Sequence, residues 1–297
     1  MNITKSGIIT ICGRPNVGKS TLTNTLVGEK VAIVSPKPQT TRNRICAILN
    51  RGDTQFVFVD TPGLHKARTR LGDYMVDVVR KSVADVDGVM LLVEPVDRIG
   101  PAEEELIGRI KYLGVPAVLV INKIDTIEKE KLLAVMAVYG QAYDWDAIVP
   151  ISAMTGEGVE ELLGIMADWI PEGPLLFPED MVTDQPERQI MAEIVREKLL
   201  RNLDKEIPHG TAVEVTTFTQ RDNDIIDCHV TIYCEKESHK GIIIGKKGAM
   251  LKKISSQARE DMEAFMGNKV YLETWVKVKE NWRDNPNAIQ NFGYIPE

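Results

Sequence analysis

Gly13-Arg14-Pro15-Asn16-Val17-Gly18-Lys19-Ser20 places two glycines, a lysine and a hydroxyl at the G-x-x-x-x-G-K-[ST] spacing. The glycines let the backbone curl until its N–H groups point at a phosphate, and a helix starting there adds the positive end of its dipole. Lys19 would meet the outer phosphates, while Ser20, followed by Thr21, would offer a hydroxyl to Mg2+. Further on, Asp60-Thr61-Pro62-Gly63 closes an apolar run. A carboxylate there can reach the same ion through water, and the Gly63 N–H can face a third phosphate. The intervening loop, residues 35–43, holds Thr40 and Thr41, either of which could ligate the ion only when a triphosphate is present. Thr41 is the first choice and Thr40 the alternative, so the expected catalytic set is Lys19, Thr41, Asp60 and Gly63.

Two further segments can read a base. Asn122-Lys123-Ile124-Asp125 and Ser152-Ala153 each follow an apolar run, where ligands of open α/β sheets gather. Asp125 can accept from the N1–H and 2-amino groups of guanine, Asn122 can help hold the base edge, the Lys123 stem can cover one face, and the Ala153 N–H can donate to O6. Adenine would leave these groups unpaired, and such mismatches discriminate by roughly 10⁴ to 10⁵. The expected ligand is GTP or GDP.

A third cluster suits a nucleic-acid backbone. Ile242-Ile243-Ile244-Gly245-Lys246-Lys247-Gly248 joins an apolar helical turn to a basic helix. Its glycines permit close approach, Lys246 and Lys247 can pair with phosphates, and Ile243, Ile244 and Leu251 can receive unstacked bases. Lys252 adds a charge at the edge, and Lys253 and Arg259 supply general attraction.

These residues need a scaffold, and the hydrophobic pattern describes one. Apolar runs at 7–12, 55–60, 88–93, 117–122 and 147–151 alternate with helical stretches such as 19–27 and 102–113, the signature of a parallel sheet wrapped in helices. Pro171, Pro174, Pro178 and Pro186, with acids between them, interrupt that pattern. Beyond them come a helix at 188–203, strands at 211–219 and 225–234, the Gly-rich turn, a helix at 249–265 and a strand at 269–278, a smaller α+β domain. The expected division is a first domain at 1–172, a linker at 173–187 and a second domain with its tail at 188–297.

Composition narrows the classes. The 297 residues carry a net charge of −7 and are 43% hydrophobic, enough for two cores. The acidity lies mainly in the first half, and residues 240–259 include five lysines and no Asp or Glu, so a basic patch survives it. Cys12, Cys46, Cys228 and Cys234 form no C-x-x-C pair and are expected as buried apolar residues in a reducing compartment. No run is long enough to span a membrane and no signal peptide is visible, so a cytoplasmic protein is expected, and separately a monomer. A membrane-remodelling or transport GTPase would need lipid-inserting segments. A GTPase serving a tRNA-modifying enzyme would carry a reactive C-terminal cysteine, whereas Cys234 lies in a strand. The single phosphate loop excludes tandem-domain factors.

The segments GRPNVGKS, DTPG, NKID and ISA resemble those of the translation-factor-related class of GTPases over about residues 1–170. GKKG, set between two helices with two strands before and one after, looks like the loop of a type II KH domain. Together with Gln39-Thr40-Thr41-Arg42-Asn43 and Thr155-Gly156-Glu157-Gly158, they make the whole chain similar to the Era family of bacterial GTPases. The resemblance implies an α/β P-loop GTPase domain, with a mostly parallel sheet and helices on both faces, followed by a smaller α+β KH domain. It further implies small-subunit maturation, the 3′ end of 16S rRNA as ligand, and some protein peripherally on the inner face of the cell membrane. Ras-like proteins carry a water-orienting Gln where this chain has Leu64, which cannot hydrogen-bond water. In related GTPases with that replacement a phosphate-loop Asn helps hold K+, and Asn16 is the corresponding candidate.

Overall fold

Near-continuous Val, Ile, Leu and Met leave these runs without a polar face, so they form strands covered on both sides. The computed structural model describes residues 3–64, 67–82 and 86–294. β1 (Lys5–Gly13), β2 (Ile45–Arg51), β3 (Thr54–Asp60), β4 (Gly88–Val93), β5 (Ala117–Ile121) and β6 (Ala147–Pro150) form one sheet in the order β2-β3-β1-β4-β5-β6. β2 pairs antiparallel with β3, and the other pairings are parallel. β2 is the strand missing from the apolar runs above, because its outer end, Asn50-Arg51, is polar and partly exposed.

α1 (Lys19–Val27) and α5 (Val159–Ala167) cover one face, burying Leu22, Leu26, Leu162 and Met166 against Ile9, Ile11 and Val120. α2 (Arg70–Lys81), α3 (Pro101–Leu113) and α4 (Lys129–Ala142) cover the other with Val79, Leu106, Ile110, Val135 and Tyr139 against Leu91 and Leu119. Each such buried aliphatic side chain contributes about 1.5–3 kcal/mol. The strand order reverses at β1, which opens a crevice beyond the carboxyl ends of the strands.

The chain divides into two compact units, residues 1–32, 41–66 and 75–184 in one and 33–40, 67–74 and 185–297 in the other. Much of the proline-rich stretch expected as a linker belongs to the first. The Ile48 N–H donates to Val182 O at 2.9 Å, the Cys46 N–H to Asp184 Oδ1 at 3.0 Å, and Gln55 Oε1 accepts from the Leu176 and Phe177 amides at 2.9 Å. Proline stops helices but not extended pairing along an edge, and here the stretch covers the edge strand β2.

In the second unit β7 (Ala212–Gln220), β8 (Ile226–Cys234) and β9 (Val270–Val278) form a sheet, β7 antiparallel and β9 parallel to β8. α6 (Glu187–Asn202), α7 (Glu237–Ile244) and α8 (Ala249–Met266) pack on one face through Val195, Leu199, Ile243, Ile254 and Met262. α9 (Pro286–Asn291) and the fully buried Trp282 close the unit with Leu71. Residues 190–192 and 194–200 of α6 are all buried, charges included. The hidden charges have partners: Arg196 donates to Glu193 Oε1 at 2.8 Å and to Thr40 O, Glu197 accepts the Val34 N–H at 3.0 Å and pairs with the exposed Arg201 at 3.0 Å, and Lys198 pairs with Asp261.

Candidate nucleotide site and nucleic-acid interface

The phosphate loop joins β1 to α1, and its conformation requires its glycines. Gly13 has φ 152° and a Cβ there would lie 2.4 Å from Leu92 O, while Gly18 has φ 102° and its Cβ would meet Asn122 Nδ2 at 2.2 Å. Between them Asn16 takes a left-handed φ of 67°, which Asn tolerates, Val17 is buried as the anchor, and Arg14 and Pro15 are half-buried. No side chain caps α1, so the N–H groups of its first turn, at Lys19, Ser20 and Thr21, keep their donors for an anion. Lys19 is buried and donates to Arg14 O at 3.0 Å and Gly13 O at 3.3 Å. Burial pulls the Lys19 ammonium below its usual range, and Asp60 opposes that shift.

Three oxygens converge beside it. Ser20 Oγ lies 2.8 Å from Thr41 Oγ1 and donates to Asp60 Oδ2 at 2.7 Å, with Thr41 Oγ1 at 3.5 Å from the same carboxylate oxygen. Asp60 is fully buried, and its Oδ1 finds no hydrogen-bond partner among the described residues. Burial pushes the Asp60 carboxyl up to about 6, against the pull of Lys19 and the two hydroxyls. One orphaned carboxylate oxygen with two hydroxyls suits a hard divalent cation that takes its remaining ligands from phosphates and water. Thr40 is turned elsewhere, its hydroxyl donating to Lys37 O at 2.7 Å.

Gly63 sits directly on the phosphate loop. A Cβ there would be 2.5 Å from Pro15 N, and the next amide, Leu64, donates to Gly13 O at 3.2 Å. Leu64 itself is buried with Cys12, Val79 and Leu91, so its side chain serves the core.

At the base-reading end, Lys123 has a left-handed φ of 65° that turns the chain into the exposed 3-10 turn carrying Asp125. Lys123 Nζ donates to Asn16 O at 2.7 Å. Asn122 and Ala153 depart from the sequence expectation. The Asn122 amide donates to Val17 O at 2.8 Å and accepts the Ala153 N–H at 2.9 Å, so it lashes the phosphate loop to the 152–153 loop, and the Ala153 N–H is directed at Asn122. The cause is burial: Asn122 is 2% exposed, and a buried amide must satisfy both ends. Ser152 is buried beside it and its Oγ accepts the Thr155 N–H at 3.3 Å.

In the second unit, Gly245 (φ 73°), Lys247 (φ 52°) and Gly248 (φ 79°) make the turn between α7 and α8, with Lys246, Lys247 and Lys252 exposed. A Cβ on Gly245 would come 2.7 Å from Met250 Cβ, and α8 begins without a side-chain cap. Ile244 and Leu251 are half-buried. Ile243 corrects the sequence reading: the phase of α7 turns it wholly into the core, and Ile242, 49% exposed, is the one that faces outward. Three consecutive isoleucines hide that phase from the sequence, and only the helix start at Glu237 resolves it.

A family model described as 50S ribosome-binding GTPase matches residues 8–123, and a KH domain model matches 206–283. The chain is 50% identical over 290 residues to GTPase Era of Ruminiclostridium cellulolyticum, covering 98% of this chain and 97% of that one. This chain belongs to the Era family of GTPases. GTPase Era of Clostridium kluyveri is 51% identical over 98% of this chain and 99% of its own. Among solved structures, Era in complex with MgGDPNP and nucleotides 1506–1542 of 16S ribosomal RNA superposes with a TM-score of 0.95 at 39% identity, covering 99% of this chain and 100% of that one. A point variant of Aquifex aeolicus Era bound to GDP and aluminium fluoride gives 0.94 at 39% identity over 98% and 100%. Era-family membership agrees with a P-loop GTPase unit and a KH unit in one chain. No helix among the described residues is long and apolar enough to cross a membrane.

Proposed function

We propose that this GTPase is a switch in which residues 13–21, Lys123 and Asp125 hold guanine nucleotide, Asn122 ties the phosphate loop to residues 152–153, and Gly245–Gly248 with the neighbouring lysines hold single-stranded rRNA. The supporting relative binds the 3′ region of 16S rRNA, and the same RNA, in small-subunit assembly, is the ligand proposed here. The observation that carries the switch is the meeting of Thr41, Ser20 and Asp60. Ser20 and Thr41 would hold Mg2+ directly and Asp60 through water, and the ion supplies positive charge against the phosphates when bound. Lys19 neutralises the outer phosphates, Gly63 presents its N–H to the third, and Asp125 selects guanine. A bound triphosphate and its ion would tie Thr41 and Gly63 to the site, and loss of the third phosphate would release both.

Leu64 leaves water orientation to other groups, and Asn16 with K+ is the proposed source; equal turnover in K+ and Na+, with Asn16→Ala harmless, refutes it. Peripheral membrane association belongs to the same proposal and rests on the family likeness. The deciding experiment crosslinks the protein to cellular RNA with Gly245–Gly248 intact and with Lys246→Glu and Lys247→Glu together. Loss of 16S reads is expected, and an unchanged profile overturns the RNA assignment.

A further inference from the structure

Arg14 pairs through Nε with Glu103 Oε1, and its Nη2 lies 3.8 Å from Glu94 Oε2. Glu103 stands in the first turn of α3, is fully buried, and its Oε2 accepts the Gly100 N–H at 3.2 Å. Glu94 follows β4 and divides its carboxylate: Oε1 pairs with Lys123 Nζ, which also donates to Asn16 O. A continuous run of contacts therefore leads from Gly100 through Glu103, Arg14, Glu94 and Lys123 to Asn16, returning to the phosphate loop two residues beyond where it left.

A carboxylate removed from water is costly unless it is paired and hydrogen-bonded. The α3 amino end and the Gly100 N–H account for one side of Glu103, and the Arg14 charge faces the other as an ion pair. The pair constrains residues 14–16, the part of the loop on which Gly63 is seated. An anion site made of backbone N–H groups works only when those groups are held in advance, because reorienting them on binding consumes affinity.

We propose that Glu103 and Glu94 are positioning residues for the bound nucleotide. Acting through Arg14 and Lys123, they hold the curl of the phosphate loop and fasten it to the base-reading loop. This rests on the assignment of residues 13–20 to phosphate.

The test loads the full chain with a fluorescent GDP analogue and measures its release under excess GDP. Wild-type protein that fails to retain the analogue refutes the phosphate assignment and the positioning proposal with it; where wild type retains the analogue, the variants test the positioning alone. Glu103→Gln keeps an acceptor for Gly100 but removes the charge facing Arg14. Glu103→Gln and Arg14→Gln should each speed release on the order of tenfold. The double variant should be no faster than the faster single, because both remove one contact. Glu94→Gln, at a partly exposed site, should give a smaller acceleration. KM for GTP should rise by a larger factor than kcat falls. Multiplying effects in the double variant, or a lowered melting temperature with release unchanged, overturns the proposal. Should Glu103→Gln fail to fold, the same cycle with Arg14→Gln and Glu94→Gln decides it by the same criterion.

Discussion

Asp60→Asn tests whether the metal-facing carboxylate weakens the protein that carries it. Asp60 is fully buried, and its carboxyl rises from an ordinary 3.8 to about 6. An acid whose value is raised on folding contributes most below its unfolded value and loses that contribution as pH rises through the folded one. Below pH 3.8 the group is neutral in both states and costs nothing; above about 6 it is charged in both, and the folded state carries the penalty. That penalty is on the order of 3 kcal/mol at pH 8 and roughly half as much at pH 5. Asn retains an oxygen to accept from Ser20 and Thr41 but never ionises. In nucleotide-free, EDTA-treated protein, Asp60→Asn should therefore be the more stable form at pH 8. By thermal unfolding the rise should be several degrees, at about 2–4 °C per kcal/mol for a domain of this size, and about half as large at pH 5. Adding Mg2+ and a GTP analogue should reverse the order, because the ion binds the wild-type charge. A variant less stable than wild type at pH 8 without ligand, or a gain independent of pH, would refute the reasoning.

Three further outcomes follow from the geometry. Asp125→Asn replaces an acceptor with a donor, so GTP affinity should fall by about 100-fold or more while xanthosine triphosphate, whose O2 accepts, gains; competition binding reads the ratio. Asn122→Ala removes ties to Val17 and Ala153 and leaves both groups buried, so urea unfolding should show a loss of roughly 2–4 kcal/mol alongside weaker nucleotide binding. Ile243→Ala should destabilise the second unit by about 2–5 kcal/mol, whereas Ile242→Ala should leave stability within about 0.5 kcal/mol and weaken RNA binding; the reverse pattern would restore the sequence reading of Ile243.

The motifs were legible because they constrain backbone as well as chemistry. Gly13, Gly18 and Gly63 stand where a Cβ would strike Leu92, Asn122 or Pro15, so spacing alone carries the loop geometry. The alternation of apolar runs and helices likewise follows from strands covered on both faces. What escaped depends on neighbours remote in sequence. Glu94 and Glu103 look like surface acids until folding brings Arg14 and Lys123 to them. Asn122 reads as a base contact until burial requires that both ends of its amide be satisfied. The prolines of residues 171–186 signal a break in helix, and nothing local says that the segment then lies along β2.

The charged flank of α6 has a consequence for motion. Arg196, Glu197 and Arg201 hold the strip of residues 33–40 at Val34 and Thr40 through carbonyls and an amide. Were that strip of chain to peel back, these three side chains would meet water as ions, which it solvates readily. The held strip is therefore tied at its two ends by ionic groups that gain hydration when it lifts.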